Sequence, residues 1–194
     1  DQRAYGDGPW SEGLPLLGVK VPSTRSPPVG SRVADDTGFA VLTRGDAKAV
    51  LRYPRFRFRP SQADALHLDL WVGDENLLRD GGSCSYADGR ALEYFASVGS
   101  HNTIQFDGRD QMPRLSRFLF GDWLRTSTLE PLRETDHAVA FGVAYQDGTG
   151  SSHMRRVRLE ADCMRVSDDI SGFRRSAVLR WRLAPGDWSL HDGC

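Results

Sequence analysis

The sequence predicts an all-β protein, a large antiparallel sandwich of two sheets preceded by a loop-rich lead-in. Three observations point there. Many short apolar runs recur at similar spacing from Phe39 onward, several alternate with period two, and turn dipeptides such as Asp107-Gly108, Asp147-Gly148 and Ser171-Gly172 separate them. One stretch alone, Gly89 to Phe95, has the pattern of a short helix.

Taken in order, residues 1–35 are rich in Gly, Pro and Ser and are expected to be loop or linker, with the sandwich occupying 36–194. Phe39 to Thr43 and Ala49 to Tyr53 are strand candidates on either side of Gly45-Asp46. Arg55-Phe56-Arg57-Phe58-Arg59 alternates strictly, which predicts a strand with two phenylalanines on one face and three arginines on the other, ended by Pro60. Asp64 to Val72 is the clearest strand. Leu66, Leu68, Leu70 and Val72 would form its core face, and His67, Asp69 and Trp71 would stand on the opposite, exposed face. Further strands are expected at Asn76–Asp80, Thr103–Phe106, Arg117–Thr126, Ala138–Tyr145, Met154–Glu160, Cys163–Asp169 and Ala177–Leu183. The stretch Asp187 to His191 also reads like a strand, so the chain is expected to be truncated there. Its start at Asp1 suggests processing or a fragment.

Composition narrows the function. Of 194 residues, 39% are hydrophobic and 26% charged, which is ordinary for a globular domain. A net charge of -1 argues against nucleic-acid binding through bulk charge, and no apolar run is long enough to span a membrane. Three cysteines without paired spacing give no disulfide framework. Lys20 and Lys48 are the only lysines among 25 basic residues. Arginine suits bidentate recognition of carboxylates and sulfates, although arginines on solvated faces are also common. Phosphate loops, nucleophile elbows, HExxH and EF-hand patterns are absent from the sequence. The chemistry-bearing candidates are His67, His101 and the carboxylates near them. Asp80, before Gly81-Gly82, reads equally as a turn residue.

Two segments carry a family resemblance. Residues 63–86 read ADALHLDLWVGDENLLRDGGSCSY, and Tyr94 to Gln111 read YFASVGSHNTIQFDGRDQ. Both resemble hallmark segments of the C-terminal domain of heparinase II/III-like polysaccharide lyases, which typically show an HxHAD start, a "DPGTY"-like strand end and "AHNT…DG.DQ". The resemblance covers roughly residues 36 to 183. It implies a two-part enzyme. A helical toroid supplies a Tyr and other polar groups, the sandwich supplies a His, and together they cleave uronic-acid polysaccharides by β-elimination, in the periplasm or outside the cell. It also implies a structural zinc in some members.

The carry-over is partial. The catalytic His of HxHAD falls on Pro60 and the second His on Gln62, while Asp80 and His101 match the family's metal-binding Asp and His. Gln62 is a poor zinc ligand, and His67 would lie on the far face of its strand. With the toroid missing, the chain alone is expected to be inactive. Candidate contacts for an acidic polysaccharide are Arg55, Arg57, Arg59, His67, Asp69 and Trp71, the last able to stack a sugar ring. The alternative is a non-catalytic carbohydrate-binding or structural module of an exopolysaccharide system.

Overall fold

The computed structural model describes residues 16–18, 30–85 and 87–191. Two antiparallel sheets face each other across one core. The first has the order β1 (Arg32–Ala34), β2 (Phe39–Arg44), β3 (Ala47–Arg52), β4 (Leu68–Val72) and β5 (Glu75–Leu78), each strand joined to the next by a short connection or by the segment 53–67. In the second, β10 (Arg133–Glu134), β11 (Val139–Gln146), β12 (Ser152–Leu159) and β13 (Met164–Ser171) follow one another, and β9 (Arg125–Leu129) pairs with β11. Two small ribbons complete the described strands: β6 (Ile104–Phe106) with β14 (Ala177–Leu179), and β7 (Arg114–Ser116) with β8 (Leu119–Phe120). Period-two burial explains the layering. Ala40 and Leu42 of β2, Ala49 and Leu51 of β3, and Val139, Phe141, Val143 and Tyr145 of β11 are buried in a single cluster with Val157 and Leu159 of β12.

The short helix α1 spans Gly89–Ala96, where Asp88 caps it by accepting from the backbone N–H groups of Arg90 and Ala91. A 3-10 turn, Val98–Ser100, then delivers the chain to His101.

Several expectations are corrected. Arg32–Ala34, within the stretch expected to be loop, forms β1 against β2. Arg55 to Arg59 is not a strand: Pro54 and Pro60 flank it, both are buried, and Phe56 packs on the core while Phe58 is 85% exposed. The strand expected from Asp64 begins only at Leu68, because Leu66 adopts a left-handed backbone (φ 59) that breaks the alternation. Arg117 to Thr126 is two strands, β8 and the start of β9, with a non-glycine left-handed residue, Asp122, between them. Beyond β14 the described residues make a single bridge, Leu78 to Leu183, and Asp187 to His191 is not a strand.

Candidate functional site

The two hallmark segments meet at one end of the first sheet. Residues 63–68 are all buried, so their backbone groups need partners inside the protein. Distant side chains supply them. Gln111 clamps Ala65 with its amide, accepting from the Ala65 N–H and donating to its carbonyl, both at 2.9 Å. Thr103 donates its hydroxyl to the same carbonyl at 2.8 Å. Arg155 donates to the Leu66 carbonyl at 2.7 Å and to the Asn102 carbonyl at 2.6 Å. Asn102 Nδ2 donates to the carbonyls of Leu68 and Arg79, and its Oδ1 accepts the Arg182 N–H. A left-handed Leu costs on the order of 1 kcal/mol. The bonds to Leu66 and its neighbours hold it there.

Arg155 is fully buried and forms a bidentate pair with Asp168 at 2.7 and 2.9 Å, directly across β12 and β13. His153 approaches the same carboxylate at 2.8 Å. Burial alone would raise the Asp168 pKa. Hydrogen bonds from His153 and Arg155, with their charges, outweigh it and pull the group down to about 2. Sequence reasoning missed Arg155, Asp168 and Gln111. The signal was there for Arg155: alternation along β12 puts His153 and Arg155 on the apolar face with Val157 and Leu159.

The hallmark residues converge as follows. Asp80 and His101 come together, His101 Nδ1 lying 2.7 Å from Asp80 Oδ2, with His101 fully buried. Gly81 makes this approach possible. A Cβ there would sit 2.7 Å from the Ser100 carbonyl oxygen, and the Gly81 N–H donates to that same oxygen. Asp80 Oδ1 accepts the Gly82 N–H at 2.6 Å. Burial acts to raise the Asp80 pKa, but the hydrogen bond and charge of His101, the Gly82 N–H and His67 together hold it below the usual carboxylate value. His67, expected on an exposed face, is 6% exposed and joins this cluster instead. Its Nε2 lies 3.4 Å from Asp69 Oδ1 and 3.7 Å from Asp80 Oδ2. The cause is again Leu66: the break in alternation sets the ring among the buried residues.

His67, Asp80 and His101 each offer a ligand atom within 4.8 Å of the others, a grouping that invites comparison with a zinc site. The donors fit zinc only in part: His101 Nε2 is buried and has no hydrogen-bond partner, as a ligand atom would be, but His67 is turned the wrong way. His67 Nδ1 accepts the backbone N–H of Asn102 at 2.9 Å. Its Nδ1 lone pair is thus committed, the ring proton sits on Nε2, and Nε2 points a donor, not a lone pair, at the carboxylates. The 2.7 Å contact of His101 with Asp80 is a hydrogen bond, shorter than the roughly 3.3 Å between neighbouring ligands of a tetrahedral zinc. Gln62, the third position by resemblance, is half-buried and has no hydrogen bond to either residue among the described residues. The cluster reads as a hydrogen-bonded Asp80–His101 pair that ties two strand ends together, with His67 beside it.

The remaining candidates scatter. Arg55 pairs with Asp35 at 2.8 Å and Arg57 with Asp36 at 2.5 Å, while Arg59 is exposed. Trp71 is half-buried beside Lys48, whose ammonium lies 6.0 Å from the ring centroid. Pro60, at the position aligned with the family's proton carrier, is buried. No helix among the described residues is long and apolar enough to cross a membrane.

Comparison with solved structures finds the same architecture. A mutant of a heparan sulfate lyase from Pedobacter heparinus superimposes with a TM-score of 0.65 at 17% identity, over 90% of this chain and 28% of that one. A heparinase III gene product superimposes with a TM-score of 0.67 at 19% identity, over 94% of this chain and 29% of that one. The chain thus spans under a third of the length of these structures. No curated protein sequence matches it. The profile described as heparinase II/III-like, C-terminal, matches residues 26–188, most of the chain, and this chain belongs to that family.

Proposed function

We propose that this chain is the β-sandwich portion of a polysaccharide lyase that cleaves uronic-acid polysaccharides by β-elimination outside the cytoplasm. What carries the reading is the family match over residues 26–188. In the reaction a base withdraws the proton on C5, beside the sugar carboxylate. The electron pair forms the C4–C5 double bond, and the glycosidic oxygen leaves from C4 with a proton from an acid. The carboxylate must be neutralised for charge to build at C5, and the base must lie within hydrogen-bond reach. Pro60 has no proton to move, and His67 is buried with its Nδ1 engaged. The proton-transfer groups therefore belong to a helical domain beyond these residues, and the sandwich contributes a rigid wall that holds the acidic chain. Of the six candidate contacts, Arg59 and Trp71 remain with a free approach, since Arg55 and Arg57 are ion-paired, His67 is enclosed, and Asp69 turns a carboxylate oxygen toward His67.

A second reading, a carbohydrate-binding module without catalysis, is favoured by Pro60 and Gln62 at the family's two histidine positions. The test is ultraviolet absorbance of the unsaturated product, with a panel of uronic-acid polymers. The chain alone is expected to release none; turnover by it would refute this division of roles. The protein joined to its helical domain is expected to turn over. Binding without turnover in that joined form would favour the second reading.

A further inference from the structure

Beside the Asp80–His101 pair lies a cleft of about 940 Å³ whose walls include Arg79, Arg180, Arg182, Tyr94 and Trp181. The fold forces the arginines together. The Arg79 N–H donates to the Arg182 carbonyl at 3.0 Å beside the Leu78–Leu183 bridge, and the Arg180 N–H donates to the Thr103 carbonyl at 3.2 Å. Two of the side chains are held in place. Arg79 donates through Nε and Nη2 to the Asn76 carbonyl, and Arg182 lies over the Tyr94 ring at 5.5 Å and donates to its hydroxyl. Among the described residues none of the three forms an ion pair. The one carboxylate on the cleft, Asp80, is taken up by His101 and the Gly82 N–H. Two guanidinium nitrogens, Arg180 Nη1 and Arg182 Nε, are buried without any hydrogen-bond partner.

Buried donors of charged groups are costly to leave unmade, and three like charges on one cleft repel. An anion with several acceptor oxygens in the cleft offsets the repulsion, and a small shift of the Arg180 and Arg182 side chains onto it partners the two buried nitrogens. We propose that this cleft is a binding subsite for an anionic sugar residue, its carboxylate or sulfate held by Arg180 and Arg182 with Arg79 adding charge. Guanidinium forks match the planar spread of carboxylate oxygens and the paired oxygens of a sulfate alike. Tyr94 and Trp181 give the sugar ring apolar surface beside them. The subsite lies apart from the Arg55–Arg59 segment, where Asp35 and Asp36 already answer two of the charges. The choice of a saccharide as the carrier of the anion rests on the lyase reading.

The test is calorimetric titration of the full chain with tetragalacturonate, which carries only carboxylates, with a sulfated galactan oligosaccharide, which carries only sulfates, and with a neutral galactan tetrasaccharide. At least one anionic oligomer is expected to bind, more weakly as salt rises, and the neutral one not to bind. The double variant Arg180→Gln/Arg182→Gln is expected to weaken binding about tenfold or more. Arg180→Lys keeps the charge, loses the fork, and is expected to weaken it severalfold; it decides the matter if circular dichroism shows the double variant unfolded. Absence of millimolar binding to both anionic oligomers, or affinity unchanged by these variants, overturns the proposal. Anionic binding that needs the arginines, without turnover in the joined protein, leaves the subsite standing and sinks the lyase reading. Turnover with binding indifferent to the arginines does the reverse.

Discussion

Replacing Arg155 by Met removes the central tie of this domain. The guanidinium is fully buried and makes four hydrogen bonds: two to Asp168, one to the Leu66 carbonyl and one to the Asn102 carbonyl. Its loss leaves a carboxylate whose side chain is 11% exposed without its charged partner. Breaking one side of a buried ion pair costs about 3–5 kcal/mol, and two orphaned carbonyls add to this at about 1 kcal/mol or more each. Water reaching Asp168 offsets part of the sum, so the expected loss is about 4 kcal/mol. For a domain of this size that lowers Tm by roughly 8–16 °C. Asp168→Leu alone should cost about as much, since it strands a buried cation. The pair Arg155→Met/Asp168→Leu should cost clearly less than the two singles summed, because no buried charge is left. Urea unfolding followed by circular dichroism measures all three. A loss under about 1 kcal/mol for Arg155→Met, or additive singles, would refute the claim that this pair anchors Leu66 and Asn102.

Four further outcomes are expected. Burial holds His153 below its ordinary 6.5, against its hydrogen bond to the Asp168 carboxylate, which acts to raise it. The unfolded chain therefore binds a proton that the folded chain refuses, and stability falls as pH drops below 6.5; His153→Gln should flatten that part of the pH–Tm curve, and an unchanged slope would contradict it. Asp168 adds a second acid loss as pH falls from 3.8 toward about 2, visible as a steeper decline in the parent than in Asp168→Asn. Gly81→Ala places a Cβ 2.7 Å from a backbone oxygen and should destabilise by about 1–3 kcal/mol in urea unfolding, whereas chelator should leave Tm unmoved; a fall of several degrees on chelation would show that His67 has been given the wrong tautomer.

How much of this was legible depended on where the determining contacts lie. Strands β2, β3, β11 and β12 follow from local alternation because each has one face on the core. The same rule fails at Arg55–Arg59, where alternation is present but no neighbouring strand pairs with it, and where Asp35 and Asp36 draw two arginines aside. It fails again at Leu66. Nothing in the local sequence asks a leucine to turn left-handed; Arg155 binds its carbonyl from 89 residues away, and Thr103 and Gln111 fix its neighbour Ala65 from 38 and 46 residues away. That one residue decides whether His67 faces solvent or the interior. The convergence of Asp80 with His101 came from the family resemblance, since spacing along the chain is silent about residues on different strands.

The hallmark residues themselves show what such a resemblance reports. Of His101-Asn102-Thr103, each side chain is buried and spends its hydrogen bonds inside the fold: on Asp80, on three backbone segments, and on Ala65. In the segment ending at Gln111, Asp107 accepts the N–H groups of Arg174, Arg175 and Ser176, Asp110 accepts that of Val98, and Gln111 clamps Ala65. These residues join loops that would otherwise bury unpaired backbone, so the sandwich needs them whether or not any sugar is cleaved. Pro60 and Gln62 carry no such duty among the described hydrogen bonds, and there the chain departs from the family pattern. The motif therefore vouches for the architecture, and the chemistry must be sought where polar groups are left over. In the region where the two hallmark segments meet, those left over include one oxygen each of Asp64 and Asp69, the inward nitrogens of His67 and His101, and the unanswered guanidinium nitrogens of Arg180 and Arg182, residues that line a cleft. The last pair belongs to side chains that are themselves on the wall of a cleft, so a ligand there needs only a side-chain shift to reach them.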